Sequence, residues 1–229
     1  MSGSNKRLSP SVEDYLKAIF ALTRRDDTAS TNALASSLSV QPSSVTGMVK
    51  RLAEEGLLEH VPYRGVHLAP RGRREALRII RRHRILETYL SERLGFTWDD
   101  VHEEAERLEH AASDALIEAM AEALGGPTHD PHGAPIPTAG GEIEAMDFPT
   151  LAQCRPGDEV VVRAVPDEDG HALRSMEARG LRPGALLTVG DSDESAGTVH
   201  LTVGPDRSGT ATVSATLARR ILVAMKEPG

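Results

Sequence analysis

Apolar residues recur at helical spacing over residues 11–24, at Val12, Tyr15, Leu16, Ile19, Phe20 and Leu22, just after Ser9-Pro10. Steps of three and four predict an amphipathic helix with proline at its start. Asp26, Asp27 and Thr28 follow as a loop. Ser30 or Thr31 then caps a short helix through Leu34, Ala35 and Leu38. Ser39 to Pro42 interrupt it. Ser43 to Glu55 form a third helix, with Val45, Val49 and Leu52 on the inner face and Gly56 as the stop. Two short runs, Leu57 to Val61 and Val66 to Leu68, flank the turn Pro62-Tyr63-Arg64-Gly65 and predict a β-hairpin. Helix, helix, turn, helix, hairpin is the order of a winged helix-turn-helix.

The helical period returns from Pro70. It predicts a long helix over Arg73–Leu94 and, after Gly95-Phe96-Thr97, a second from Asp99 to about Leu124. Residues 125–141 are rich in Gly, Pro and His, show no period, and read as a loop or linker. From about Leu151 the pattern changes to short β-type runs at 159–162, 186–189, 198–201 and 221–223, with one helical stretch at 172–179. The fold class is therefore mainly α with small β parts. A small C-terminal β-barrel follows an N-terminal winged helix and a helical middle.

Composition narrows this picture. The chain has 229 residues, enough for two or three small domains, and aromatics make up 3%, so aliphatic side chains must fill the cores. A single cysteine, Cys154, excludes a disulfide framework and a zinc site built on several thiolates. No apolar run is long enough to span a bilayer, and the polar stretch from Met1 to Ser11 has no signal-peptide character. No membrane association and a cytoplasmic location are expected. The net charge of -8 hides an asymmetry. Residues 1–85 carry 15 Lys+Arg against 8 Asp+Glu, a balance of +7, and residues 86–229 carry 11 against 26, a balance of -15. A basic N-terminal part on an acidic body suits a DNA-binding domain joined to a regulatory one.

The chemistry lies on the long helices. His102, Glu106, Glu109 and His110 fall at offsets 0, +4, +7 and +8, one stripe of a helix. His83 and Glu87 are four apart on the helix before, and Asp14 on the first helix can add another oxygen. A divalent cation needs several donors at fixed positions, which two helices supply rigidly. All these donors are carboxylate oxygen or imidazole nitrogen. They suit Mn²⁺ or Fe²⁺ and do not exclude Zn²⁺ or Co²⁺. By spacing alone, a solvated charged helix face competes equally with a site.

Several segments, taken in order, resemble the diphtheria-toxin-repressor family of metal-dependent regulators, and more closely its manganese-responsive branch. They are Val12-Glu13-Asp14-Tyr15-Leu16, Gln41 to Thr46 with Met48-Val49-Lys50, His83 to Glu87, Val101 to His110, and Pro131-His132-Gly133-Ala134-Pro135-Ile136-Pro137. The tail with Glu177 to Gly184 resembles the SH3-like (FeoA-like) domain of many members. The resemblance implies a DNA-binding domain over 1–74, a helical metal-binding and dimerisation domain over 75–142 and the SH3-like domain over 148–229. It implies a primary metal site on Asp14, Glu106, Glu109 and His110. An ancillary site falls on His83, Glu87 and His102, with Asp169 or His171 from the acidic turn 167–171 as further donors. Where the iron-responsive branch has methionine and cysteine, this chain has Asp14 and Glu106. That exchange of sulfur for oxygen favours Mn²⁺, with Fe²⁺ as the alternative and Co²⁺ or Zn²⁺ as substitutes in vitro. Lys17 stands where some manganese-responsive members carry a second carboxylate, which argues for separate ions over a close pair.

In a helix-turn-helix the second helix enters the major groove. Ser43, Ser44, Thr46 and Gly47 lie at that end, and Ser43 is also a candidate cap. Lys50 and Arg51 are placed for phosphates, Arg64 for the wing, and Thr31 and Ser37 for the backbone. The expected partners are operator DNA and a second copy of the chain, with Val101, Ala105, Leu108, Ala112, Ala115, Leu116 and Ala119 shared between core and two-fold interface. The expected output is metal-dependent repression of metal-uptake genes. A carboxylate-bridged metalloenzyme is the competing reading, but it needs paired Glu-x-x-His motifs on four helices, which the chain lacks.

Overall fold

The computed structural model describes residues 8–23, 27–167, 169–193, 195–206 and 208–226. Met1 to Arg7 of the polar N-terminus, Asp26 of the expected loop and Glu168 of the acidic turn lie outside them. The chain divides into two compact units. One comprises Met1–His83, Glu109–Ala112 and Pro137–Ile143, and the other Arg84–Leu108, Ser113–Ile136 and Glu144–Gly229.

The first unit opens with α1 (Pro10–Thr23), α2 (Thr31–Ser37), α3 (Pro42–Glu54), β1 (Leu58–Val61), β2 (Gly65–Leu68) and the first half of α4 (Pro70–Leu94). Leu16, Ile19, Leu34, Val45, Leu52, Leu57 and Leu77 are fully buried in one core. These are the positions that the helical period puts on the inner faces. Ser30 caps α2 by accepting from Ala33 N at 3.1 Å. The expected cap at Ser43 is not formed: α3 starts after Gln41, with Pro42 in its first turn and no side-chain cap. Proline lacks the N–H that a cap would satisfy and presets φ there. β1 and β2 pair antiparallel, Leu58 opposite Leu68 and Val61 opposite Gly65. Ala29 joins as a third rung, exchanging both backbone hydrogen bonds with Val66 at 2.8 and 3.0 Å. Gly65 makes this close approach feasible. Its φ is +128°, and a Cβ there would lie 2.2 Å from the Ala29 carbonyl oxygen.

The second unit holds the rest of α4, most of α5 (Val101–Glu109), α6 (Asp114–Ala123) and the C-terminal domain. The single long helix expected from Asp99 to Leu124 is two helices. Ser113 ends the run because its side chain accepts from Leu116 N and caps α6. The C-terminal sheet contains β3 (Glu159–Ala164), β4 (Leu186–Asp193), β5 (Thr198–Val203), β6 (Gly209–Ser214) and β7 (Leu222–Met225) in the antiparallel order β6-β5-β4-β3-β7. With it go α7 (Gly170–Glu177) and the short α8 (Ala215–Ala218). Strand β6 escapes the hydrophobic pattern because just two of its residues, Ala211 and Val213, are buried. Leu173, Leu181, Leu187 and Ile221 form the domain's core, which Trp98, from the segment before α5, joins.

Residues 125–136 are not a linker. Asp130, His132 and Ile136 are buried, and His129 bridges to Pro135. Gly133, at φ +87°, packs so closely on β3 that a Cβ would lie 2.0 Å from the Arg163 carbonyl oxygen. Val165 N donates to the His132 carbonyl at 3.0 Å. Segments without a period carry no face pattern, but their backbone groups still need partners, and here most lie within the segment: Asp130 N donates to the Ala134 carbonyl, Gly133 N to Asp130 and Ile136 N to Thr128.

Candidate metal centre and DNA-binding face

The first unit gathers an ionic cluster at one face of α1. Val12, Leu16 and Ile19 turn inward, which brings the adjacent Glu13, Asp14 and Lys17 to the border of the core. Glu109, at the end of α5, has no exposed surface, and His110 follows it directly. The His110 Nε2 atom lies 3.0 Å from Asp14 Oδ1 and 3.5 Å from Glu109 Oε1. Donor atoms of Asp14, Glu109 and His110 all lie within 4.8 Å of one another. The other ring nitrogen, Nδ1, sits 2.7 Å from Glu13 Oε2, and the second Glu13 oxygen faces Arg82 at 3.4 Å. Lys17 Nζ donates to Glu109 Oε1 at 2.7 Å, and His83 Nδ1 is 2.5 Å from Oε2. Burial alone pushes the Glu109 carboxyl up. The His83 hydrogen bond, the His83 charge and Lys17 together outweigh it and hold the carboxyl below its ordinary value.

Glu13 was not foreseen as part of this cluster. Its signal was available, since an acid three and seven residues before Leu16 and Phe20 sits inside the apolar stripe and must find partners when buried.

The second unit builds a different cluster. Glu87, on α4, has no exposed surface, and its Oε1 pairs with His102 Nδ1 at 3.0 Å. On its other side, Glu87 Oε2 is 3.9 Å from His132 Nδ1. Asp167 joins them, with one donor atom from each of Glu87, His132 and Asp167 within 4.8 Å. The His132 tautomer follows from its contacts. Nε2 lies 2.9 Å from the Trp98 carbonyl oxygen, which can accept but not donate, so Nε2 carries the proton. The other ring nitrogen, Nδ1, is buried without a hydrogen-bond partner. The ring is also held against Trp98 at a centroid distance of 5.3 Å. Beside it, Asp130 Oδ1 accepts from His132 N and Ala134 N, and Oδ2 lies 3.3 Å from Arg84 Nε. Burial, then the nearby Glu87 charge, push the Asp130 carboxyl up to about 7. Two carboxylates, Glu87 and Asp167, and an imidazole nitrogen without a hydrogen bond are donors that could hold a hard divalent cation.

Asp169 and His171 are not in this group. Asp169 caps α7, accepting from His171 N and Ala172 N at 2.9 and 3.2 Å, and His171 is exposed. Among the described residues of this turn, Asp167 is the acidic one that comes close to Glu87 and His132, two residues after Val165, whose N–H donates to the His132 carbonyl. Glu106 is half-buried, 3.9 Å from His102 Nε2.

The outer face of α3 is open. Ser43, Ser44, Thr46, Gly47, Lys50 and Arg51 are all exposed, while Val45, Val49 and Leu52 are buried. Thr46 spends its hydroxyl proton on the Pro42 carbonyl at 3.0 Å, so it presents an acceptor outward. Ser37 and Arg64 are exposed and Thr31 is half-buried.

Three known families match consecutive stretches of the chain. The family described as "Iron dependent repressor, N-terminal DNA binding domain" matches residues 7–66, and "Iron dependent repressor, metal binding and dimerisation domain" matches 69–138. The FeoA domain family matches 150–225. The iron-dependent repressor IdeR of Mycobacterium tuberculosis is 33% identical over 194 residues, covering 80% of this chain and 84% of the relative. The chain belongs to the iron-dependent repressor family. This repressor is also 37% identical to the transcriptional regulator MntR of Geobacillus kaustophilus over 105 residues, 46% of this chain and 74% of that protein. A solved structure of a manganese-dependent transcriptional repressor in complex with manganese superposes with a TM-score of 0.87 at 38% identity, covering 94% of this chain and all of that one. The protein is thus a metal-dependent, DNA-binding transcriptional repressor and not an enzyme. Its partners are operator DNA, a second copy of itself and a metal ion. Among the described residues, no helix is long and apolar enough to cross a membrane.

Proposed function

We propose that this repressor is manganese-responsive, acts in the cytoplasm as a homodimer, and silences metal-uptake genes when Mn²⁺ is plentiful. The supporting observation is the donor chemistry. Both clusters offer carboxylate oxygens and imidazole nitrogens, and Cys154 is a member of neither and packs against the C-terminal core. Oxygen-rich sites match Mn²⁺, whereas iron-responsive sites with sulfur donors favour softer ions. The domains are those of the sequence reading, 1–74, 75–142 and 148–229.

Asp14, Glu109 and His110 hold the regulatory ion in this reading. A bound ion would supply positive charge that offsets the repulsion between the neighbouring Asp14 and Glu109 carboxylates. Asp14 belongs to the segment matched as DNA-binding, and Glu109 and His110 to the segment matched as dimerisation. Joined, they fix α1 to the end of α5 and favour one placement of α3 on DNA. Glu13 orients His110 through Nδ1 and leaves Nε2 for the ion. Glu87, His132 and Asp167 hold a second ion, with Asp130 beside it. Leu108, Ala115, Leu116 and Ala119 are exposed and form the two-fold interface, while Val101, Ala105 and Ala112 are core.

Iron is the second reading, favoured by the resemblance to IdeR over most of the chain. Operator binding titrated separately with Mn²⁺, Fe²⁺, Co²⁺ and Zn²⁺ decides between them. Full operator binding at lower free Mn²⁺ than the cell keeps available supports manganese. A response to Fe²⁺ alone overturns it.

A further inference from the structure

We infer that Tyr63, at the tip of the β1–β2 wing, is a DNA-contacting residue that packs on the sugar edge of the minor groove beside the major-groove segment entered by α3. The residue is 108% exposed, the most open of the large apolar residues described, where Val40 at 37% and Leu116 at 47% are typical. An aromatic ring wholly in water gains nothing for folding. The backbone adds a second cost. Tyr63 has φ +63°, a left-handed conformation that favours glycine or asparagine and is uncommon for a bulky residue. Strain of this kind at an exposed tip is a mark of function.

The tip is also held firmly. Gly65 fits against the Ala29 carbonyl, Ala29 and Val66 exchange both backbone bonds, and Thr28 Oγ1 donates to the Arg64 carbonyl at 3.2 Å. Arg64 N closes the turn on the Val61 carbonyl at 3.0 Å. A loop with no task needs no such bracing. The neighbours suit a polyanion, since the turn itself is Pro62-Tyr63-Arg64-Gly65 with an exposed guanidinium and no acid. Glu59, on the strand before it, pairs with His67 at 3.1 Å. A tyrosine ring can lie on deoxyribose while its hydroxyl donates to a phosphate, and an arginine beside it is drawn to a narrow minor groove.

The test uses the full-length protein with Mn²⁺ and a duplex that the unmodified protein selects from a randomised library. Tyr63→Gly and Tyr63→Asn both suit the left-handed backbone, so melting temperature should stay equal or rise while duplex affinity falls about tenfold. Hydroxyl-radical footprinting should show lost protection at the outer edge of the site, with the central protection from α3 retained. Tyr63→Phe separates the contacts: retained affinity assigns them to the ring, and a loss like that of Tyr63→Gly assigns them to the hydroxyl on a phosphate. Mn²⁺ binding without DNA should be unchanged in every variant. Tyr63→Gly and Tyr63→Asn binding within twofold of the unmodified protein, with an identical footprint, would overturn the assignment and leave the tip as a surface for some other macromolecule.

Discussion

The two ionic clusters contain similar residues but are balanced differently. In the first, protein cations already serve the carboxylates: Lys17 and His83 face Glu109, and Arg82 faces Glu13. In the second, Glu87 and Asp167 face a buried imidazole whose Nδ1 has no hydrogen-bond partner; His102 pairs with Glu87 and Arg84 with Asp130, yet burial and the Glu87 charge push the Asp130 carboxyl up to about 7. A cluster with its own cations exists stably in two states, with and without the ion, which is what a switch requires. A cluster that leaves a buried imidazole nitrogen without a hydrogen bond would suit, in the reading proposed above, an ion that stabilises the fold.

Removing a donor from the first cluster should have the largest effect. Asp14→Ala should reduce metal-dependent operator affinity by at least about a hundredfold in a gel-shift titration, because the ion loses the donor on the DNA-binding domain. Unchanged metal dependence would remove this cluster from the mechanism.

The second cluster should be visible in stability. Asp130 is protonated in the folded protein up to about pH 7. In the unfolded chain it loses its proton near pH 4. The folded state therefore binds more protons between these values, and its stability falls as pH rises through that window. The full penalty is roughly 4 kcal/mol above pH 7. Thermal melts of metal-free protein from pH 5 to 8 should show this fall, Asp130→Asn should flatten it, and saturating Mn²⁺ should offset it. Equal slopes for the unmodified protein and Asp130→Asn would dissociate Asp130 from the effect.

Lys17 sharpens the contrast from the other side. If it competes with the ion for Glu109, Lys17→Met should raise Mn²⁺ affinity at the first cluster about tenfold and leave the second unchanged. Calorimetric titration of a variant lacking His132 isolates the first cluster for this measurement. Asp169→Ala should have the smallest effect. It removes the α7 cap, at a cost of about 1 kcal/mol, and should leave Mn²⁺ stoichiometry as it was. A lost equivalent of Mn²⁺ would return Asp169 to the ligand set.

Periodicity revealed much of the fold. The helices α1 to α4, the wing and four of the five strands follow from spacing, since each needs just one face to be recognised. The break before Ser113 was not legible, because Ala111 and Ala112 continue a helical pattern that only the formed cap interrupts. For the same reason the order in residues 125–136 was missed, because its partners are its own backbone groups, the Asp130 side chain and Val165, none of which leaves a period. The candidate donors Asp14, Glu109 and His110 were legible as chemistry. Their grouping with Glu13 and Lys17, and that of Glu87 with His132 and Asp167, was not.

By itself, the sequence determined which elements form, the basic and acidic halves, and a donor set of oxygen and nitrogen near the helices. Tertiary structure decided which donors meet. It set Lys17 on Glu109, turned His132 so that Nδ1 faces Glu87, and brought Asp167, where Asp169 was expected, close to both. The reason is geometric. A period reports the face of a single element, whereas an ion site needs side chains from several, and their register is fixed by backbone contacts that leave no pattern in the chain.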